Sequence, residues 1–314
     1  MTGALVDWLM VGGGLGLLLV AGDALVRGAV NLSLRLGVPA LIVSLTIVAF
    51  GTSAPEMLVS VQAVLENAPG IALGNVVGSN IANVMLVLGL PAIMATVYSS
   101  ECNTVQSYLQ MLAATILFIL LCMVGRLNWA SGAVLLAALS LILVHAVLVA
   151  RRARQGVPDL EGAAPDMPWP KVLGFLGAGL LGLPLGAHLL VEGSVDIAHD
   201  YGVSETVIGL TLVAIGTSLP EVATSIMAAR RGQAEVFLGN VIGSNTFNLL
   251  GIMGVASLVG PIPVDATFLD RNLWVMLGAA LLLVPFVFLR QNITRRWGVA
   301  LLALYGAYLV ALTG

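Results

Sequence analysis

Two short blocks of this 314-residue chain hold the side chains best placed to do chemistry. GTSAPE at 51–56 and GTSLPE at 216–221 each set a carboxylate, Glu56 or Glu221, inside a long apolar run. A charge buried at membrane depth costs roughly 2.5–3.5 kcal/mol or more and is a functional candidate by default. No Lys or Arg lies between Arg35 and Arg126, and none between Lys171 and Arg230, so no basic residue is near in sequence to neutralise either acid. The remaining counter-charge is a metal cation or a proton. Exchanging one for the other is a transport chemistry.

The neighbouring residues suit a hard cation, which takes oxygen ligands. Thr52 and Ser53 precede Glu56 by four and three residues, and Thr217 and Ser218 stand likewise before Glu221, so each pair can share a helical face with its acid. Further on, Ser79 and Asn83 are four apart, as are Ser244 and Asn248. Pro55 and Pro220 cannot donate to the carbonyls of Gly51 and Gly216, and such a break is tolerated where freed oxygens line a cavity. The set has no thiolate and no imidazole, which argues against zinc or copper. Asn75, Asn80, Asn240 and Asn245 can serve as ligands or as donors bracing the helices, and bracing is the favoured reading. Gly74-x-x-x-Gly78 and Gly239-x-x-x-Gly243 are also helix-packing patterns.

These residues must be positioned by two copies of one unit. Residues 51–83 and 216–248 align at a constant offset of 165, with 15 of 33 positions identical and no gap. Upstream, Val26, Gly28, Gly37, Val38, Thr46 and Ala49 recur as Val191, Gly193, Gly202, Val203, Thr211 and Ala214. The chain is 59% hydrophobic and 9% charged with mean hydropathy +1.04, which excludes a water-soluble globule. Spans of about 20 apolar residues are expected at 5–33, 38–65, 70–97, 104–124, 128–150, 171–199, 203–230, 235–261, 268–289 and 296–313.

The fold class expected is therefore an all-α polytopic membrane protein of ten transmembrane helices. A first five-helix repeat (1–150) and a second (170–314) flank a polar linker (151–169). Five is odd, so the second copy enters the membrane from the opposite side, an inverted repeat whose site lies near the midplane. Loops after odd-numbered spans carry Arg35, Arg151, Arg152, Arg154, Lys171, Arg230, Arg231, Arg290, Arg295 and Arg296, whereas the other side has Arg126 and Arg271. That bias places the linker in the cytoplasm and both termini outside. The first span lacks the positive leader of a signal peptide and is read as retained in the plasma (inner) membrane.

Other polar residues are assigned structural roles. Asp23 and His188 hold equivalent repeat positions, as do Arg27 and Glu192, and are expected to pair or snorkel near membrane ends. His145 and His199 are expected at the interface, and Glu66, Glu101, Glu235, Asp265 and Asp270 in solvated connections. Cys102 and Cys122 have no metal-ligand spacing. The small net charge of −3 gives no sign of nucleic acid as a partner. The partners expected are the transported ions and the lipid bilayer, with the monomer as functional unit and no cofactor.

The paired GTS-x-PE … GN-x-x-GSN-x-x-N blocks resemble the alpha repeats of the sodium/calcium exchanger family, within the calcium/cation antiporter superfamily. The resemblance covers the whole ten-span plan. It implies a central cluster of four cation sites and access alternated by sliding of the first and sixth helices. Carried over, Glu56 and Glu221 are the main calcium ligands, joined by Thr52, Ser53, Ser79, Thr217, Ser218 and Ser244, with the carbonyls of Ala49 and Ala214 serving sodium or calcium. Asn83 and Asn248 complete the set. Many exchangers have an Asp at one of these two positions, so this site carries at most two formal negative charges.

Two readings of the exchanged ion follow. Sodium for calcium is favoured by the hydroxyl-rich GTS motif, and calcium for protons uses the same two glutamates. An intramembrane enzyme would need a paired nucleophile or metal motif. The three histidines are scattered, and none is near Ser60. An open channel fits less well than alternating access, because the repeats converge on a compact charged site.

Overall fold

The structure, a computed structural model, describes residues 2–152, 167–200, 214–266 and 268–313. The chain is helical almost throughout. Successive helices are α1 (Thr2–Leu36), α2 (Ala40–Thr52), α3 (Ala54–Leu65), α4 (Pro69–Met94), α5 (Val105–Cys122) and α6 (Trp129–Arg152). After the connection come α7 (Trp169–Asp200), a short piece Ala214–Gly216, α8 (Leu219–Arg230), α9 (Ala234–Val259), α10 (Phe268–Val287) and α11 (Arg295–Thr313).

Among the described residues, seven helices are long and apolar enough to cross a bilayer, and α2 with α3 makes an eighth if the bent pair is one span. The expected span 203–230 falls partly outside the described residues, and Ala214–Gly216 and α8 are its described part. The expected span 296–313 is α11, 19 residues long. Residues 153–166 of the expected linker also lie outside the described residues.

The two central helices are α4 and α9, of whose apolar windows 78% and 89% is buried inside the protein. Against 17% for α6 and 33% for α7, these figures identify what the other helices surround. A large apolar cluster joins α4 and α9 to α5, α8, α10 and α11 through residues such as Leu73, Phe118, Phe237, Leu250 and Phe286. A second cluster, with Leu18, Leu25, Val172, Leu176 and Leu183, belongs mainly to α1 and α7.

The α1–α7 pair runs antiparallel along a seam of glycines. A Cβ on Gly14 would lie 2.6 Å from Leu190 N, one on Gly179 2.5 Å from Leu25 Cβ, and one on Gly193 2.6 Å from Asp7 O. Side chains are excluded from this seam, so the backbones approach as close van der Waals partners. Arg35 at the end of α1 donates to Met167 O at 2.6 Å and lies over the Trp169 ring, which fixes the start of α7.

Equivalent positions of the two copies adopt the same local geometry. Both α3 and α8 end on a left-handed residue, Asn67 (φ 58) and Gly232 (φ 66). Their following amides return to the helix at Ala63 O (2.8 Å) and Ala228 O (2.9 Å), which satisfies the terminal carbonyls. Val97 pairs with Ile293, and its repeat equivalent Ile262 pairs with Leu127 in a two-stranded clip of Arg126–Leu127 with Ile262–Pro263.

One expectation needs correction. Glu235 does not sit in a solvated connection: it is half-buried, and its Oε2 accepts the Leu41 N–H at 3.2 Å at the start of α2. A carboxylate there complements the positive end of the helix.

Candidate cation-binding site

Both glutamates stand just after a break in the helix. Between α2 and α3, Ser53 leaves the helical region (φ −83, ψ 6), and the two halves bend by 45°. Before α8, Ser218 does the same (φ −89, ψ 2). Pro55 and Pro220 occupy the first turn after each break, where a missing N–H costs nothing. Glu56 and Glu221 share those first turns, so each carboxylate lies near the partial positive charge of a half-helix N-terminus. This compensates part of the cost of burying an anion.

The acids are fully buried, and their backbones are braced by asparagines in the same way in both copies. Asn75 Nδ2 donates to Glu56 O (3.2 Å) and Ser60 Oγ (3.0 Å). Asn240 Nδ2 donates to Glu221 O (3.3 Å) and Ser225 Oγ (3.1 Å). Bracing, the role expected for these asparagines, is what they do. Sequence reasoning missed the part of Ser60 and Ser225 in it, although their recurrence in the repeat was a usable signal.

Three of the hydroxyls expected from sequence, those of Thr52, Ser53 and Ser244, lie beside Glu221 and come from both copies. Ser53 donates to Glu221 Oε1 at 3.2 Å, and the hydroxyls of Thr52 and Ser244 also face that carboxylate. Thr52 Oγ1 lies 3.3 Å from Asn240 Oδ1 and 3.4 Å from Ser244 Oγ. Asn83 Nδ2 donates to Asn245 Oδ1 (3.0 Å), and Asn245 Nδ2 reaches Asn80 O (3.4 Å), which ties α4 to α9. Ser79 is buried on α4, and Thr217 is half-buried at the second break.

The two alanines differ. Ala49 O accepts the Ser53 N–H at 3.0 Å and the Thr52 hydroxyl at 3.3 Å, whereas the Ser218 N–H goes to Ile215 O at 3.0 Å rather than to Ala214. Ala214 opens the described part of its segment, and its side chain lies outside the described residues.

Glu56 Oε1 and Oε2, Glu221 Oε2, Ser218 Oγ, Asn83 Oδ1 and both polar atoms of Asn248 are buried without a hydrogen-bond partner, as are Asn80 Oδ1 and, outside the expected site, Ser257 Oγ. Buried polar atoms are normally satisfied, and a carboxylate left bare is costly. Among the described residues no Lys or Arg is buried. Nor do the described residues hold a cluster of three His, Cys, Asp or Glu that would suit a transition metal. Buried, unpaired oxygens that include two carboxylates match hard-cation chemistry.

Asn248 carries a feature the sequence did not announce. It lies in a π-helical turn, Phe247–Ile252, inside α9, while its equivalent Asn83 sits in unbroken α-helix. Such turns often occur at functional positions. A second π turn, Ser44–Val48, lies in α2 where α9 crosses it: a Cβ on Gly239 would sit 2.7 Å from Ser44 Cβ, and one on Gly243 2.6 Å from Ala49 Cβ. The packing role of Gly239 and Gly243 is thus explicit. Gly243→Ala should destabilise the protein by about 1–3 kcal/mol, because the added methyl meets backbone and Cβ atoms that cannot rotate away. Thermal melting in detergent measures this, and an unchanged melting temperature would contradict the close approach.

A bundle of long apolar helices around a wholly buried acidic cage is an integral, multi-pass membrane protein. Comparison with known proteins narrows the class. The family model described as "Sodium/calcium exchanger protein" matches residues 6–148 and 171–314. Inner membrane protein YrbG of Escherichia coli (strain K12) is 36% identical over 275 residues, covering 83% of each chain. Sodium/calcium exchanger MaX1 of Methanosarcina acetivorans is 32% identical over 345 residues, covering 98% of each. A solved structure of the sodium-calcium exchanger NCX_Mj, soaked with zero Na+ and Ca2+, superposes with a TM-score of 0.84 at 33% identity, over 98% of this chain and 99% of that one. The chain belongs to the sodium/calcium exchanger family.

Proposed function

We propose that the protein is a secondary active antiporter that exchanges sodium for calcium by alternating access, with Glu56 and Glu221 as the acids that hold the ion. The observation that carries this reading is the set of buried, unpartnered oxygens at Glu56, Glu221, Ser218, Asn83 and Asn248. A divalent cation satisfies several at once and neutralises both carboxylates. Thr52, Ser53, Ser79, Thr217 and Ser244 supply further hydroxyl oxygens, and Ala49 and Ala214 backbone oxygens. The names of MaX1 and NCX_Mj support sodium as the exchanged ion.

The same reading takes the chain as ten spans in two inverted repeats (1–150 and 170–314) around a cytoplasmic linker (151–169), with both termini outside. The matching caps at Asn67 and Gly232 and the matching clips at Val97 and Ile262 support a two-fold relation between the copies. Every ligand proposed comes from one chain, so a single chain is proposed to suffice.

Calcium for protons is the second reading, because two protons would also satisfy the bare carboxylates. Calcium-45 uptake into sodium-loaded proteoliposomes, with pH clamped and the potential short-circuited, separates the two. Uptake is expected to require internal sodium. Uptake that ignores sodium and follows an imposed proton gradient would reassign the exchanged ion while keeping the glutamates.

A further inference from the structure

On the C-terminal half of α1, Asp23 is held by two arginines. Arg27, one turn on, meets it at 2.9 Å, and Arg231, just past the end of α8, pairs with it through both Nε and an Nη nitrogen. The pair is only about a quarter exposed at each partner: 22% at Asp23 and 24% at Arg231. The helices beneath it touch closely. A Cβ on Gly22 would lie 3.0 Å from Ala223 O, and Ala223 and Thr224 of α8 are buried.

The repeat offset of 165 gives every member of this contact an equivalent in the other copy. Asp23 becomes His188 on α7, Arg27 becomes Glu192, Arg231 becomes Glu66 past the end of α3, and Ala223 and Thr224 become Leu58 and Val59. Each ionic pair keeps complementary chemistry with the roles reversed: acid on α1 and base on α8, base on α7 and acid on α3. The first contact is made and the second is not. His188 pairs only one turn along with Glu192, at 3.3 Å, and both are exposed. Glu66 accepts from Gln62 at 2.8 Å. Leu58 is 72% exposed where its equivalent Ala223 is 4%, and α7 makes no packing against α3 comparable to that of α1 against α8.

We infer that Asp23–Arg231 and His188–Glu66 are alternate latches, one on each helix of the α1–α7 unit, and that only one is closed at a time. The inference rests on the proposed alternating access and adds to it the groups that hold each state. When the unit shifts, Arg231 loses Asp23 and α7 settles on Leu58 and Val59, which brings the His188 imidazole to the Glu66 carboxylate. Because the two contacts lie on one pair of helices joined by a backbone seam, closing one opens the other.

Cysteine pairs test this in proteoliposomes, in a Cys102→Ser, Cys122→Ala background. Asp23→Cys with Arg231→Cys, and Glu66→Cys with His188→Cys, should each form a disulfide under oxidation. The fourfold variant should form one or the other in a given molecule and not both. Adding Asp23→Asn to the Glu66/His188 cysteine pair should raise its cross-linking about fivefold, the weight of a partly exposed ion pair. Failure of the Glu66/His188 pair to cross-link, while Asp23/Arg231 does, would overturn the proposal.

If cysteine variants do not insert, a charge exchange replaces them. His188→Glu alone sets three acids together and should slow cation flux, and adding Glu66→His should restore it; no restoration overturns the latch. Alternating disulfides in a protein that carries no calcium would count against the proposed function and still support the latches.

Discussion

Calcium-45 uptake by the Glu56→Gln or the Glu221→Gln protein should fall by two orders of magnitude or more. Glutamine keeps the size of the side chain and one of its oxygens, so the helix breaks at Ser53 and Ser218 and the asparagine braces on the backbone stay as they are. What changes is the charge. Removing one partner from a buried ionic cluster costs about 3–5 kcal/mol, which is roughly a 100-fold to 5,000-fold loss of binding. The new amide also points N–H donors into a cage whose unpaired atoms are mostly acceptors.

A second readout separates loss of the site from loss of the fold. A cation that binds only the folded state raises the melting temperature, so calcium should stabilise the native protein and leave either variant unmoved. Both variants should insert normally, since an uncompensated buried carboxylate is a cost to the empty protein. Normal flux from either one would remove the two glutamates from the mechanism.

The calcium gradient that exchange sustains should be the same whatever the membrane potential. The cage holds two carboxylates, and the positions that could have supplied a third acid are Asn83 and Asn248. One calcium or two sodium ions neutralise that charge, whereas a third sodium would leave a buried excess of one. If each cycle moved a net charge, about 100 mV would contribute about 2.3 kcal/mol, roughly a 50-fold change in the calcium gradient sustained. Clamping vesicles at zero and at about −100 mV with a potassium ionophore measures this directly. Asn248→Asp, which adds a third acid at an atom pair with no present partner, should introduce voltage dependence. A 50-fold response in the native protein would show that a third positive charge is carried and that the charge count is wrong.

Much of this was legible in the residues because the signals are physically extreme. A glutamate in an apolar run with no nearby base is too costly to serve packing alone, and 33 positions aligned without a gap fix where its counterpart must be. Pro55 and Pro220 announced the breaks, which the structure places at Ser53 and Ser218. The differences between the copies were not legible, since matching residues behave differently. Ser53 bonds Glu221, while Ser218 Oγ and both Glu56 oxygens stay unpaired. Asn83 sits in α-helix and Asn248 in a π turn. Such asymmetry belongs to how the copies pack at a given moment, which no single motif encodes. Glu235 was misplaced for a related reason: its partner, the Leu41 amide, lies 194 residues earlier.

The glycine seam between α1 and α7 also bears on how the chain is made. α1 leaves the ribosome before α7, so the surface that receives it is not synthesised until Trp169–Asp200 has followed. Through that interval Gly14 and Gly28 have no backbone to close against, and a glycine face offers lipid little to grip. Docking of α1 is therefore a late event in biogenesis, completed only when the second copy arrives. A chain stopped after Arg152 would carry Thr52 and Ser53 without Glu221, Asn240 or Ser244, and α1 would lack the partner that gives it a fixed place.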